Sequence, residues 1–356
     1  MLSIIADSWL KGIRGYDIEV LYDAIIKNTY GHGPVTSVGR YGAEWYNRLG
    51  YVPYDVGINE SAARSLEYAY ADFCIWQLAK NLGKKEKEVR LFYDRALNYK
   101  HLFDADNRLM RGKNQDGSWQ QPFNAFKWGD AFTEGNSWHY TWSVFQDVEG
   151  LIQLFGGKSH FVAALDSVFA MPPIFDDSYY GFPIHEIREM QVAGFGQYAH
   201  GNQPIQHMIY LYNHAGEPHK GQYWLKEVMN RLYQPTPDGY AGDEDNGQTS
   251  AWYVWSALGM YPVTPGTDEY VLGSPLFEKV EIDLPSGKTL TLKASSGAKE
   301  IPYVQSIKWN DQLYKKLYFK HHELLEGGVI EFELGKKAMG ERVFSEWERP
   351  YSMIRE

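Results

Sequence analysis

Apolar residues recur at helical spacing along most of the first 260 residues. In the clearest run, residues 58–82, the apolar positions are three or four residues apart: Leu66, Ala69, Phe73 and Trp76. This spacing places the side chains on one face of a helix. The same pattern predicts further helices over residues 16–28, 85–102, 136–155, 158–170, 186–199, 204–214, 219–232 and 248–259.

Near residue 262 the apolar spacing changes to the alternation that is typical of strands. Val280, Ile282 and Leu284 alternate with polar residues, and a second alternating run follows a Ser–Gly turn. Further strands are predicted at 303–307, 317–319 and 329–332. We therefore predict a helical domain over residues 1–262 and a second domain over 263–356, which contains a small antiparallel β unit and a polar tail.

The bulk composition excludes several classes of protein. The chain has 356 residues, a net charge of -10 and an isoelectric point near 5.6, whereas binding to a nucleic acid backbone needs a basic face. No stretch reaches the roughly 20 apolar residues of a membrane-spanning helix.

The N-terminus lacks a basic start and Asp7 interrupts its apolar run, so we expect no signal peptide in this chain. The single cysteine, Cys74, lies in a helical pattern and is predicted to be a buried thiol.

Aromatic residues are abundant and surround one acid in the segment TEGNSWHYTW, residues 133–142. Phe, Tyr and Trp make up 16% of the chain, and their flat faces suit pyranose rings. Glu134 lies in this aromatic segment, where partial desolvation would raise its pKa and prepare it to donate a proton. The alternative is that Glu134 caps the helix predicted to open near Ser137.

A cluster of three acids lies in GDEDNGQTSAW, residues 242–252. Asp243, Glu244 and Asp245 directly precede a predicted helix, and capping of that helix accounts for one of the three. Mutual repulsion among three neighbouring acids needs a cation, a proton or full solvation as compensation. An acid held protonated and a second carboxylate held ionised form the pair used in glycoside hydrolysis.

A third candidate segment is HGNQPIQH, residues 200–207. Pro204 suits the first position of a helix and Asn202 is a plausible cap, which leaves Gln203 and Gln206 unassigned. Amide oxygens near aspartates suit Ca²⁺, and no cysteine–histidine spacing suggests zinc. The alternative is a capped helix with solvated amides.

Together these three segments resemble glycoside hydrolase family 92, the calcium-dependent exo-acting α-mannosidases. The segments at 50–55, 60–73 and 270–284 are also similar to that family, so the resemblance extends from about residue 3 to residue 335. It implies a catalytic (α/α)6 barrel preceded by a β-sandwich, with the active site between them. The helices counted above are fewer than the twelve of such a barrel. We therefore expect a partial (α/α)6 helical-hairpin toroid, with the β-sandwich and first barrel helices supplied by a longer enzyme of which this chain is the C-terminal portion.

The resemblance also implies roles for individual residues in an inverting mechanism. Glu134 takes the general-acid position, and Asp245, with Asp243 beside it, takes the position of the base that activates water. Such a pair of carboxyl groups should lie about 6.5–9.5 Å apart. The family's substrates are terminal α-mannosides of glycans such as N-glycans or mannans, and its location is extracytoplasmic.

The same resemblance assigns a Ca²⁺ site and sugar contacts. Asn202, Gln203 and Gln206 fall in the segment that holds the ion, which in this family also contacts O2 and O3 of the sugar. Some members carry Glu at the position of Gln203, so we expect weaker Ca²⁺ binding here. Trp138, His200 and Asn202 are predicted to contact the substrate.

Two other interpretations fit part of the pattern. One is another helical-barrel carbohydrate enzyme, such as a lyase or a phosphorylase, although the acidic loops argue against the basic pocket that a lyase needs for uronic acids. The other is a non-catalytic carbohydrate-binding fragment that keeps the fold without the activity.

Overall fold

A computed structural model describes residues 2–31, 33, 38–340 and 342–356. The predicted domains 1–262 and 263–356 include residues 1, 32, 34–37 and 341, which lie outside the described residues. The chain forms two compact units, of which the first comprises Met1–Gly157, Pro172–Arg188 and Pro265–Thr267, and the second Lys158–Met171, Glu189–Thr264 and Asp268–Glu356. The boundary between the two units does not coincide with the change from helix to strand near residue 262. The second unit contains several helices as well as all the longer strands.

The first unit is helical. Its helices are α1 (Leu2–Leu10), α2 (Ile18–Asn28), α3 (Ala43–Leu49), α4 (Ser61–Asn81), α5 (Glu86–Ala96), α6 (Ser137–Tyr140) and α7 (Val148–Leu154). Strands β1 (Phe103–Asp104) and β2 (Leu109–Met110) form a short antiparallel pair. Helix α4 packs against α1 and α5 and provides much of the core of this unit.

Helix α4 confirms the prediction made from apolar spacing. The four side chains on its predicted inner face are all buried: Leu66, Ala69, Phe73 and Trp76. The prediction of a buried thiol is also confirmed, since Cys74 is fully buried and burial raises the pKa of its thiol.

The same helix carries a buried charge. Asp72 is 0% exposed and accepts hydrogen bonds from Arg40 Nη2 at 2.6 Å and from the Tyr46 hydroxyl at 3.0 Å. Arg40 is itself only 4% exposed. A buried carboxylate is tolerated only when it is paired and hydrogen-bonded, so this pair fixes the segment before α3 against α4.

The second unit combines helices with two sheets. Its helices are α8 (Lys158–Ala170), α10 (Leu211–His214), α11 (Pro218–Leu232), α12 (Gln248–Ala257) and α13 (His321–Leu324), and α9 (His185–Ala193) crosses into it from residues 172–188. A 3₁₀ helix, Gln203–Tyr210, leads directly into α10. Within the described residues, none of the helices combines the length and apolar character needed to cross a bilayer.

The two sheets are built from eight strands. The three-stranded sheet has the order β3 (Met260–Tyr261), β4 (Glu269–Leu272) and β9 (Tyr318–Lys320). The five-stranded sheet has the order β5 (Lys279–Asp283), β6 (Thr289–Ala294), β10 (Gly328–Gly335), β7 (Tyr303–Trp309) and β8 (Gln312–Tyr314). The predicted alternation holds in this sheet, where residues such as Leu290, Leu292, Ile330 and Phe332 are buried in one core.

The prediction of a purely antiparallel β unit is wrong for one pair of strands. Strands β6 and β10 run parallel, with Leu292 opposite Ile330. Parallel neighbours need a long connection, and here β7, β8, β9 and α13 lie between the two strands in the chain. The remaining strand pairs are antiparallel.

The prediction of a single continuous helix over residues 136–155 is also wrong. Helix α6 ends at Tyr140, and α7 begins only after Asp147, whose carboxylate accepts a hydrogen bond from the Gly150 N–H at 3.3 Å. The Thr141 hydroxyl donates to Ser137 O at 2.7 Å. These side chains bond to the backbone and so compete with a continuous helix.

Three other predicted helices are shorter than the apolar spacing suggested. The helix predicted over 85–102 becomes 3₁₀ from Asn98, and the one over 186–199 ends before Gly194, which has φ of 70°. Most of the helix predicted over 204–214 is 3₁₀. Helices α1, α3 and α13 and strands β1 to β4 and β8 are additions that the pattern did not predict.

Candidate active site

Glu134 lies on a tight loop in the first unit, directly before α6. Its φ is 44°, in the left-handed region that side chains other than glycine seldom occupy. The loop is closed by a hydrogen bond from Gly129 N–H to Gly135 O at 2.9 Å and by one from the Tyr140 hydroxyl to Thr133 O at 2.7 Å. The backbone N–H of Glu134 itself donates to the Tyr180 hydroxyl at 3.1 Å.

Capping of α6 does not explain Glu134. The cap is Asn136, whose side-chain oxygen accepts from the His139 N–H at 3.2 Å, while His139 Nδ1 accepts from the Asn136 N–H at 3.1 Å. The N-cap of α6 is therefore Asn136 and not Glu134.

The surroundings of Glu134 differ in one respect from the sequence-based expectation. Its side chain is exposed, and the aromatic residues of this segment pack against rings from elsewhere in the first unit. The Trp138 ring lies 6.5 Å from that of Phe126 in a stacked arrangement and remains partly exposed. The expected enclosure of this carboxyl group by aromatic rings is therefore not seen within the first unit.

The segment around Asn202 lies in the second unit and begins the 3₁₀ helix. Asn202 Oδ1 accepts from the Gln203 N–H at 3.1 Å, and Pro204 occupies the first turn, which confirms the predicted cap. Gln206 is buried, and its Nε2 donates to His200 O at 3.1 Å. These hydrogen bonds fix the amide side chains in one short, rigid stretch.

His200 lies buried beside this segment and is held by hydrogen bonds to two tyrosines. Its side chain is 0% exposed, with Nδ1 3.0 Å from the Tyr198 hydroxyl and Nε2 2.7 Å from the Tyr233 hydroxyl. Trp252 packs edge-on against the ring. Burial lowers the pKa of His200 to about 3, so the imidazole is neutral. A contact between His200 and a substrate stays a prediction.

The acid cluster before α12 divides into one capping acid and two others. Glu244 Oε2 accepts from the Gly247 N–H at 2.7 Å and Oε1 from the Ser250 N–H at 3.3 Å. The side-chain and backbone hydrogen bonds from Ser250 and Gly247 lower the pKa of Glu244. Capping thus uses Glu244, and it leaves Asp243 and Asp245 exposed.

The loop that carries Asp245 has an unusual backbone. Asp245, Asn246 and Gly247 are consecutive left-handed residues, with φ of 55°, 56° and 108°. Asp and Asn tolerate this region better than other side chains. Gln203 Nε2 donates a hydrogen bond to Asp245 Oδ2 and so orients the carboxylate. The other oxygen, Oδ1, has no hydrogen-bond partner among the residues that the structure describes.

Two glycines allow the Asn202 segment and the acid cluster to approach each other closely. A Cβ at Gly242 would lie 2.6 Å from Gly201 O and 2.7 Å from Glu189 Oε2, and a Cβ at Gly201 would lie 2.5 Å from Ala241 O. Any larger residue would force the two segments apart. The structure therefore places the segment that follows Gly201 close to the acid cluster, and Gln203 contacts Asp245 directly. The roles predicted for Asn202, Gln206 and Asp243 stay predictions.

The donor set of this cluster fits a hard cation in its chemistry. The predicted ligands offer amide and carboxylate oxygens, which suit Ca²⁺. In the arrangement described, Gln203 turns its amide nitrogen towards Asp245, and Gln206 Oε1 lies 3.5 Å from Gln248 Nε2. Among the described residues, no group of three or more His, Cys, Asp or Glu side chains is placed to hold a metal ion. A Ca²⁺ site here would rely on amide oxygens as well as on acids.

Several residues at these loops were not predicted from the sequence. Tyr180, which contacts Glu134, lies 46 residues further along the chain. Glu189, whose carboxylate lies against Gly201 and Gly242, falls in a segment that was predicted only as a helix. No local pattern marks either residue, because their placement depends on tertiary packing.

Comparison with known proteins gives a consistent result over nearly the whole chain. Residues 1–336 match the model of the glycosyl hydrolase family 92 catalytic domain. Among solved structures, the chain is similar to an inverting mannosidase of this family from Bacteroides thetaiotaomicron, with 46% identity and a TM-score of 0.89 over 99% of the chain and 48% of the mannosidase.

Two further relatives support the match. An α-mannosidase of the same family from Bacteroides thetaiotaomicron, solved with mannoimidazole, is 34% identical with a TM-score of 0.88 over 99% of the chain and 45% of its own length. A protein of Arthroderma benhamiae, described as an uncharacterized secreted glycosidase, is 29% identical over 94% of the chain and 44% of its own length. The chain thus spans less than half the length of each of these relatives.

Proposed function

The chain belongs to glycosyl hydrolase family 92, and from this we propose that the protein is an exo-acting, inverting α-mannosidase. Its substrates would be terminal α-mannosides of glycans such as N-glycans or mannans. The observation that supports this proposal most is which residues cap the helices beside the candidate acids. The N-cap of α6 is Asn136, and at the start of α12 the Glu244 carboxylate accepts from the N–H groups of Gly247 and Ser250, so the observed capping bonds do not use Asp243 or Asp245 and the N-cap of α6 is not Glu134.

In the proposed reaction Glu134 is the general acid. Its carboxylic acid donates a proton to the glycosidic oxygen as the bond from that oxygen to the anomeric carbon breaks. The carboxylate that remains is exposed and regains its proton from solvent. Proton donation to the leaving group of this kind contributes about 10²–10⁴-fold to the rate.

Asp245 is the proposed general base. It would accept a proton from a water molecule that attacks the anomeric carbon on the face opposite the leaving group, which inverts the configuration. The hydrogen bond from Gln203 occupies Oδ2, which leaves Oδ1 to bind that water. Asp243, two residues earlier, is proposed to share the position of the base with Asp245. The predicted separation of about 6.5–9.5 Å between the carboxyl groups of Glu134 and Asp245 stays a prediction.

Asn202, Gln203 and Gln206, with Asp243 and Asp245, are the residues that would hold Ca²⁺. When bound, the ion would place positive charge beside O2 and O3 of the sugar and favour a flattened ring. The ion would also relieve the repulsion between Asp243 and Asp245. Helix capping gives no reason for the presence of these two acids beside Glu244. Trp138 is the proposed contact for an apolar face of the sugar, since this residue is partly exposed.

The helices are proposed to belong to an (α/α)6 toroid. The pairing of α4 with α5 and of α10 with α11 is consistent with helical hairpins. The location proposed for the protein is extracytoplasmic, on the basis of the secreted relative from Arthroderma benhamiae.

Mannose release by the intact protein that contains this chain tests the proposal. We expect free mannose from at least one of the α-1,2, α-1,3, α-1,4 and α-1,6 mannobiosides. Treatment with a chelator should abolish the release and added Ca²⁺ should restore it. Full activity after exhaustive chelation, with metal analysis confirming depletion, would refute the role of Ca²⁺. Binding of mannobiosides without any release of mannose would favour the non-catalytic alternative.

Substitution of Gln203 provides a more specific test of the Ca²⁺ site. In Gln203→Glu, a second carboxylate replaces the amide beside Asp245, so we expect Ca²⁺ to bind more tightly, by on the order of tenfold. Calorimetric titration of Ca²⁺ into the Ca²⁺-depleted protein measures this affinity. Gln312→Glu, which adds the same charge at an exposed position in β8, is the control and should leave the affinity unchanged.

A further inference from the structure

The conformation of Glu134 requires support from outside its own loop. A left-handed φ of 44° is unfavourable for a glutamate and persists only where surrounding contacts fix it. The hydrogen bonds Gly129 N–H to Gly135 O and Tyr140 Oη–H to Thr133 O act on the residues beside Glu134. The backbone of Glu134 itself is bonded to the Tyr180 hydroxyl, which accepts from the Glu134 N–H at 3.1 Å.

Tyr180 is held in place by a firmly attached segment. Asp176 forms a parallel bridge with Lys127, in which the Trp128 N–H donates to Asp176 O at 2.9 Å and the Asp176 N–H donates to Phe126 O at 2.9 Å. A turn then brings the Tyr180 N–H to Asp177 O at 3.0 Å. The ring position is therefore set by backbone hydrogen bonds and does not depend on a mobile side chain alone.

The rings of this segment also lie against the glycine that closes the loop. A Cβ at Gly129 would lie 2.9 Å from Tyr180 Cζ and 2.4 Å from Tyr179 Cδ1. The absence of a side chain at Gly129 thus allows the Tyr180 hydroxyl to reach Glu134. The same glycine donates the hydrogen bond to Gly135 O, so the loop and the tyrosine fit together as one arrangement.

We infer that Tyr180 is a positioning residue for the general acid: its hydroxyl holds the backbone of Glu134 so that the carboxyl group points towards the glycosidic oxygen. This inference rests on the proposed role of Glu134. The hydroxyl remains protonated at neutral pH, since burial raises the pKa of Tyr180 to about 12, although the hydrogen bond from the Glu134 N–H acts in the opposite direction. It accepts from the Glu134 N–H through an oxygen lone pair, and its own proton has no acceptor among the described residues.

The variant that tests this inference is Tyr180→Phe, which keeps the ring and removes the hydroxyl. In the intact protein we expect kcat for an unactivated α-mannobioside to fall about 10- to 100-fold, with little change in KM, because the acid is misplaced. With 2,4-dinitrophenyl α-mannoside, whose leaving group needs no proton, we expect a loss of less than about threefold. Tyr179→Phe is the matched control, since its hydroxyl has no hydrogen bond among the described residues, and it should behave as the unsubstituted protein.

Two comparisons separate this inference from the proposed function. In a Glu134→Gln background, Tyr180→Phe should cost less than about twofold more, since it acts through the acid. If Glu134→Gln shows the leaving-group dependence and Tyr180→Phe shows unchanged rates, only the inference about Tyr180 is overturned. Equal losses on both substrates in Tyr180→Phe, with an unchanged thermal unfolding midpoint, would also overturn it. If Glu134→Gln itself shows no leaving-group dependence, the assignment of the acid fails, and this inference fails with it.

Discussion

Glu134→Gln is expected to lower kcat for α-mannobiosides by about 10²–10⁴-fold while the protein remains folded. The amide has nearly the shape of the carboxyl group but has no acidic proton for the leaving oxygen. Activated aryl mannosides should lose far less, because their phenolate leaving groups depart without protonation. Steady-state kinetics on the two substrate types measure the difference.

The matched control for this prediction is Asp106→Asn, which makes the same change at an exposed acid of the β1–β2 turn. It should leave the kinetics on both substrates unchanged. Equal losses on both substrate types in Glu134→Gln would argue that the residue supports the fold or binding and does not protonate the leaving group. Glu134 is exposed and is not the N-cap of α6, so a loss confined to unactivated substrates is the outcome expected.

Asp72→Ala is expected to give the largest loss of stability, about 3–5 kcal/mol in the free energy of unfolding of the first unit. The substitution leaves the guanidinium of Arg40 buried without its carboxylate, and the Tyr46 hydroxyl loses this acceptor and keeps its longer contact with Arg95 O at 3.3 Å. Urea unfolding followed by far-ultraviolet circular dichroism measures the change. Asp94→Ala is the control, because it breaks the exposed Arg90–Asp94 pair in α5 and should cost less than about 1 kcal/mol.

A double substitution tests the reason for this loss. If the cost comes from an unpaired buried charge, Arg40→Met combined with Asp72→Leu should be more stable than Asp72→Ala alone. A double variant that is less stable than Asp72→Ala would show that the hydrogen-bonded pair itself stabilises the unit. A loss below about 1 kcal/mol in Asp72→Ala would contradict the burial of this pair.

Local patterns predicted the elements whose own side chains determine them. Helix α4 and strands β5 and β6 follow from apolar spacing of three to four and of two residues, and burial in the structure matches that spacing. The segment 136–155 could not be predicted in the same way. There the hydrogen bonds of Thr141 and Asp147 with the backbone outweigh the helical spacing of the apolar residues.

The candidate site shows a similar division. The sequence identified Asp243, Glu244 and Asp245 as one cap with two additional acids, but only the hydrogen bonds to Gly247 and Ser250 assign the cap to Glu244. The role inferred for Tyr180 could not be predicted from sequence patterns, because the contact between Tyr180 and Glu134 depends on tertiary structure. The parallel pairing of β6 with β10 was missed for the same reason.

The anomeric configuration of the first mannose released tests the central proposal most directly. Proton NMR of the intact, Ca²⁺-loaded protein with an α-mannobioside distinguishes the α and β anomers before they equilibrate by mutarotation. A base such as Asp245 that activates water opposite the leaving group predicts that β-mannose appears first. The appearance of α-mannose first would indicate retention, and it would contradict the assignment of Glu134 as acid and Asp245 as base in a single displacement.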